Sequence, residues 1–451
     1  VVVTVARQFR YNAFGAGHPV RRLQQRGTRE PQGRKNERMA VIQAEATAPP
    51  SAPNHPLAVR MGVIAGVSHN VVIGTVMGHF GVMLASAEHR LNITAGEAAL
   101  GIPLVLIGSA VVAPFAGVLL AKHSLRLILV IGAVLTVCGF ALLGLSNSYP
   151  LYLAAYGLFL GPAMSLTGSI GPATLVTRWF TKNRGLALGV VHLPVVIAIL
   201  PVALNWFVER NGAATSYLTL AIFAAVLLVP LTLLAVDHPP GGETSAPVAA
   251  DKRTADGSLS LAQLLGSPRY WAMALAVIAS MTSSVLLGSL LVPMGMSWGF
   301  TSGESALIQS IMSAVGILGS VLFGWVSDRI GGARTLALIA FDCAVLWALL
   351  LIEPPFAATA VIVGLIGMHG AGAIPGISKS ITDAFGQASF SRGFGINSVI
   401  ALPFIAFAIV GSAGVFTATG SYAPAVMVMA GFFVVAIFLA LFAAGGKKVP
   451  V

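Results

Sequence analysis

The sequence predicts an all-α polytopic membrane protein, with twelve transmembrane helices in two six-helix bundles. Hydropathy, the spacing of apolar runs and the placement of cations carry that reading. Hydrophobic residues make up 56% of the chain, and the mean hydropathy is +0.88. A soluble domain cannot hide so much apolar side chain from water, because the buried fraction grows too slowly with mass. The apolar residues fall in runs of about 20, the length that spans a bilayer as a helix. The chain also holds 50 glycines and 25 prolines. These would break soluble helices, whereas membrane bundles tolerate them and use small residues for close helix approach.

The runs lie near 60–85, 94–120, 125–146, 149–177, 184–207, 213–236, 269–296, 304–326, 334–352, 357–380, 393–415 and 421–444. Before them, residues 1–59 are polar and Arg-rich and end in APPSAPNHP. Disorder is the expectation there, and no apolar core marks a signal peptide. MAVIQAEATAPP, from Met39, looks like an ordinary start, so residues 1–38 read as an over-extended gene start. The polar segment 237–268, which opens DHPPGGETSAPVAADKRTADGSLS, divides the runs six and six and reads as a linker. The expected bundles are 60–236 and 269–444, with a C-tail at 445–451.

Orientation follows from the connections. Of 26 Lys and Arg, only Arg90 and Arg210 fall on the second side, once Lys379 is set aside as intramembrane. The first side holds the N-tail, Lys122, Arg126, Arg178, Lys182, Arg184, Lys252, Arg253, Arg269, Arg329, Arg334, Arg392, Lys447 and Lys448. Cytoplasmic loops carry the cation excess, so both termini are expected in the cytoplasm. The net charge of +11 therefore reads as topology rather than as nucleic-acid binding. Cys138 and Cys343 lie inside apolar runs without metal-ligand spacing, and no metal or cofactor is expected.

Two basic loops recur. GVLLAKHSLR starts at Gly117 and GWVSDRIGGAR at Gly324; Arg184-Gly185 and Arg392-Gly393 repeat at a near-equal separation. The second half thus reads as a parallel repeat of the first. GWVSDRIGGAR resembles the G-x-x-x-D-R-x-G-R-[RK] loop of the major facilitator superfamily, through Asp328, Arg329, Gly331 and Arg334. The resemblance implies a loop whose charges grip neighbouring helix ends and stabilise one conformational state. The first-half copy departs, with Ala121, Lys122 and Ser124 at the acidic, basic and glycine positions. TRWFTKNRGLALG resembles the start of the fifth helix in monocarboxylate porters and their bacterial relatives, the oxalate:formate antiporter group included. Trp179, Phe180, Lys182, Arg184, Leu186, Ala187 and Gly189 match. Departures are MGVIAGVSHNVV, which lacks the acidic, Gly-rich, Trp-containing opening of animal carriers, and His192-Leu193-Pro194, where small residues are usual. SALIQSIMSAVGILGS offers Gln309 but no Arg or Asp.

Polar groups at mid-membrane are costly and mark candidate sites. His69 and Asn70 lie near the middle of the first run, His369 near the middle of the tenth, and His192 just before a kinking Pro194. The family resemblance places helices 1, 4, 7 and 10 around the substrate cavity, with helix 5 flanking it. His69, Asn70, His192, His369 and Lys379 are the substrate-binding candidates, and Lys379 the candidate anion anchor. Ser165, Thr167, Ser169, Ser280, Thr282, Ser283 and Ser284 add hydroxyls; His79 is expected at the interface. Asp342 and Lys379 count to similar depths on antiparallel runs, so an ion pair between them is expected. His69 and His369 are further coupling candidates, since imidazole titrates near neutral pH. Each group also has a plain structural reading: a membrane histidine can bond a backbone carbonyl, and Lys379 can snorkel to the surface. Arg178, Lys182, Arg184, Asp328, Arg329, Arg334 and Arg392 are the gating and topology residues.

The expected function is secondary transport of a small organic anion, a monocarboxylate by resemblance, with proton symport as one coupling route. The alternatives are an exporter of amphipathic compounds and a membrane receptor or scaffold without transport. No P-loop, nucleophile elbow or HExxH points to an enzyme. The expected setting is a monomer in the bacterial inner membrane, partnered by lipid and a small molecule.

Overall fold

The computed structural model describes residues 55–180, 184–239, 260–386 and 389–445. Most of the expected N-tail, C-tail and linker, and Lys182, lie outside them. Helix α1 runs Ala58–Gly78 and continues past His79 as Phe80–Leu91; α2 runs Ala95–Ala99 into Gly101–Lys122; α3 is Leu125–Leu145. Helix α4 spans Tyr149–Trp179. Helix α5 starts as Arg184–Val191 and resumes at Val195. In the second half, α7 is Pro268–Ser297, α8 Ser302–Ile330, α9 Gly332–Leu350, α10 Phe356–Phe385, α11 Phe390–Thr419 and α12 Ala423–Gly445.

Among the described residues eleven stretches are long and apolar enough to cross a membrane, and one of them, Ala187–Leu233, has 47 residues. At 1.5 Å per residue that is about 70 Å, over twice the hydrocarbon thickness. The chain turns inside it at Gly212, φ 76° and ψ 168°. An L side chain resists that positive φ and glycine does not. The stretch is therefore two crossings, α5 ending at 211 and α6 covering 213–233, and the crossing helices among the described residues number twelve. Side chains such as Phe407 (78% exposed) and Val321 (76%) point outward from mid-helix. Water would penalise that surface; acyl chains do not.

Local sequence sets the helix starts. Thr94 with Glu97 and Thr301 with Glu304 form capping boxes at the heads of α2 and α8, each meeting orphan N–H groups of a first turn. Helix α4 widens into π turns at Ala155–Leu160 and Met164–Ile170, each followed by a Gly-Pro pair, Gly161-Pro162 and Gly171-Pro172. Proline lacks the N–H that a regular ladder needs, and a π turn absorbs the defect.

The contacts that join α1–α6 to α7–α12 gather at the face opposite the Lys/Arg-rich loops. There α5 meets α8, the second part of α1 meets α7, and the start of α2 meets α11. Asn205 Nδ2 donates to Glu209 Oε1 (2.8 Å) and to Ser302 Oγ (3.4 Å), and Ser302 Oγ donates to Glu209 Oε1 (2.5 Å). A Cβ on Gly81 would sit 3.1 Å from the Ser289 carbonyl oxygen, and one on Gly96 3.8 Å from Gly414 Cα. The halves are closed together at this face. Oxidative cross-linking should therefore join Asn205→Cys to Ser302→Cys in a background lacking the exposed Cys138; the gel shift of a cleavable-linker variant checks it.

Candidate translocation site

Helix α5 breaks at His192–Pro194, because Pro194 has no N–H and its ring clashes with the preceding turn. Inside a bilayer the freed backbone groups need partners within the protein. Asn70 on α1 supplies them. Its Oδ1 accepts from Val195 N (2.9 Å) and Val196 N (3.3 Å). Its Nδ2 donates to Gly66 O (3.0 Å) and Val191 O (3.4 Å). An amide has two acceptor sites and two donor hydrogens, and all are used. In this conformation Asn70 is a cap supplied from another helix, with no capacity left for substrate.

The same break brings His192 against His69, with ring centroids 4.4 Å apart. His69 Nδ1 lies 2.5 Å from Gly168 O, a carbonyl in the second π turn of α4. His192 Nδ1 lies 2.8 Å from Leu188 O. Carbonyls only accept, so each Nδ1 carries its hydrogen and each Nε2 presents a lone pair. Neither Nε2 has a hydrogen-bond partner among the described residues. Both rings are half-buried. Two of the expected substrate-binding histidines thus meet, from α1 and α5 beside α4.

The expected Asp342–Lys379 ion pair is overturned. Lys379 Nζ pairs with Asp383 Oδ1 at 3.0 Å along its own helix, and Asp342 Oδ2 meets His369 Nε2 at 3.0 Å. The error is one of register. Helix α10 overruns the start of α9: a Cβ on Gly332 would lie 2.2 Å from Ser380 N. Lys379 is therefore level with the first turn of α9, and Asp342 is about 15 Å deeper at 1.5 Å per residue. His369 is held within the second half, against α9 and α8. Its Nδ1 bonds Leu365 O (2.6 Å) and its ring packs 5.0 Å from that of Phe323 on α8.

His79 also departs from expectation. It is fully buried, with Nδ1 2.6 Å from Thr75 O and Nε2 2.8 Å from the Tyr156 hydroxyl. Tyr156 projects from the first π turn of α4 and stacks on the imidazole, centroids 5.8 Å apart. Of the hydroxyls, Thr167 donates to Leu129 O, Ser284 to Ser280 O, and Ser283 accepts from Trp347 Nε1. These bind helices to each other or to themselves. Ser165 and Thr282 are buried without hydrogen-bond partners among the described residues.

At the Lys/Arg-rich face, Arg178 lies 3.9 Å from Asp237. Asp237, at the root of the linker, also accepts from Leu125 N (2.8 Å) and Arg126 N (3.2 Å), capping α3. Arg126 Nε donates to Ala235 O and Trp179 Nε1 to Val236 O, both at 2.8 Å. The acidic residue absent at Ala121 is thus replaced, for holding helix ends, by one from the end of the bundle, which sequence reasoning missed. In the second half Arg329 lies 3.7 Å over the Trp325 ring. Asp328 has no ion pair within 4.0 Å among the described residues. The side chains of Arg184 and Arg392 are outside those described.

Twelve helices among the described residues, in two halves closed at one face, with a helix break and an imidazole pair in the first half, have the two-bundle build of a polytopic membrane transporter. The family model of the Major Facilitator Superfamily matches residues 69–340, more than half of the sequence, and the chain belongs to that superfamily. The oxalate:formate antiporter of Oxalobacter formigenes is 25% identical over 293 residues, covering 64% of this chain and 66% of that protein. The crystal structure of a bacterial homolog to the human lysosomal transporter Spinster, in an inward-facing and unoccupied conformation, is similar with TM-score 0.66 and 14% identity. The likeness covers 87% of this chain and 98% of that one; it concerns the fold alone.

Two substitutions test the local accounts. Asn70→Ala strands the amides at the α5 break and should cost about 1–3 kcal/mol, read as a lower melting temperature, while Asn70→Asp keeps the acceptors and loses less. Asp237→Ala should cost about 1–2 kcal/mol through the lost cap, whereas Ala121→Asp should not restore it, because the cap acts from the end of α6.

Proposed function

We propose that the protein carries a small organic anion by alternating access, and that the anion binds with a proton at His69 and His192. The observation that carries this is the pair of imidazoles 4.4 Å apart, each with Nδ1 committed and Nε2 free. A neutral ring of that tautomer only accepts at Nε2. Protonation turns it into a charged donor, which is what a carboxylate needs. Two imidazolium rings so close repel, so an anion is favoured beside them when charge arrives. Carboxylate and proton then bind as a neutral sum. The oxalate:formate antiporter relative supports an anionic substrate class. The Lys/Arg bias supports cytoplasmic termini, which makes the closed face the external one and this conformation open to the cell interior. The Asp328–Arg329 and Arg178–Asp237 loops then lie on the cytoplasmic face, where Lys182, Arg184, Arg334 and Arg392 anchor topology and the two halves part. Lys379, paired with Asp383 in a helix end, serves that face rather than the anion.

Thermal shift of purified protein tests the reading, because a ligand that binds the native state raises its stability by mass action. Formate, acetate and oxalate should stabilise the protein more at acidic than at alkaline pH. His69→Gln or His192→Gln should weaken that binding at least tenfold, about 1.4 kcal/mol, with Lys379→Ala close to wild type. Stabilisation by cationic or neutral amphiphiles alone would replace the anion carrier with an exporter of amphipathic compounds.

A further inference from the structure

His369 and Asp342 lie away from the imidazole pair just described, and their hydrogen-bond geometry fixes a proton count. The Leu365 carbonyl, 2.6 Å from Nδ1, can only accept, so Nδ1 carries a hydrogen. In a neutral imidazole Nε2 then presents a lone pair. It faces Asp342 Oδ2 at 3.0 Å, and an ionised carboxylate presents lone pairs too. Two lone pairs at that distance repel. The contact requires a proton between them, on Nε2 as imidazolium facing carboxylate, or on Oδ2 as a carboxylic acid facing neutral imidazole. In either form the pair holds one proton beyond neutral histidine and carboxylate, and its net charge is zero.

No other group among the described residues relieves that requirement. Helix α8 from 305 to 327, α11 from 393 to 419 and all of α12 contain no ionisable side chain. Helix α9 adds Arg334 near its start and the buried thiol of Cys343. Helix α7 adds Arg269 and Tyr270, and α10 adds Lys379 and Asp383, all toward the Lys/Arg-rich ends. Phe323 closes the α8 side of the ring. His369 is 6% exposed and Asp342 37%, on a helix face where water is scarce. Deprotonation would leave an unpaired carboxylate in low dielectric.

We infer that Asp342 and His369 form a proton-binding site that fastens α10 to α9 in this conformation. Proton binding follows from the pair itself; its link to transport rests on the alternating-access reading, in which α10 must move relative to its neighbours. Loss of the proton sets like against like and releases α10 from α9.

Asp342→Asn tests this, because the amide Nδ2 donates to neutral Nε2 and keeps the bond without the extra proton. The full chain in zwitterionic detergent, without substrate, is jumped from acidic to alkaline pH with an indicator dye. Wild type should release a single proton more than Asp342→Asn. Its melting temperature should also fall more than the variant's after the jump, because losing the shared proton breaks a contact that the amide keeps. Equal proton release from wild type and folded variant would overturn the site. If Asp342→Asn fails to fold, Asp342→Ser, whose hydroxyl can also donate to neutral Nε2, takes its place with the same two outcomes. No carboxylate is added, so failure here and failure of the His69–His192 reading are separate results.

Discussion

A backbone or side-chain polar group inside a bilayer has no water to turn to, and this constraint organises the molecule. The break in α5 exists because Pro194 cannot continue the ladder. It is tolerated because Asn70 accepts from Val195 and Val196 and donates to Val191. The π turn of α4 brings the Gly168 carbonyl to His69. Four membrane histidines, His69, His79, His192 and His369, each spend Nδ1 on a carbonyl. Their tautomers are thereby set, and the second nitrogen becomes the group that differs. It meets a phenol at His79 and a carboxylate at His369, and it is free at His69 and His192.

The two halves share a plan but not their fastenings. In the first half the linker root returns Asp237 to the head of α3 and to Arg178, while Trp179 holds the neighbouring carbonyl. In the second half the charged loop keeps Asp328, and Arg329 rests on Trp325. The first bundle is closed by its own C-terminal end, so its integrity depends on where the linker begins. Repeat symmetry alone would have placed the acidic group at residue 121.

The helices were legible because a bilayer imposes one length on every crossing and because cations sort to one side. Even the turn at Gly212 fell in the gap between two apolar runs. Depth was harder to read. Counting from run ends put Lys379 beside Asp342, because nothing local says that α10 overruns the start of α9. His79 was placed at the interface because the apolar run ends near 85, whereas the helix continues to Leu91 through polar residues. Asn70 was read as a substrate ligand because its duty is owed to a segment more than a hundred residues away. Proximity of His69 to His192 was equally invisible, although Pro194 announced that something unusual happens there. Sequence marks the defect; only packing shows what answers it.

The seam between the halves is made of little. Glycines let the backbones touch, and a small cluster of Asn205, Glu209 and Ser302 ties them. The polar contacts of such a joint can be taken over by water when it parts, and a solute shifts the joint only by its unequal affinity for the joined and parted arrangements. On the alternating-access reading proposed above, parting this seam is the step that a bound solute can tip.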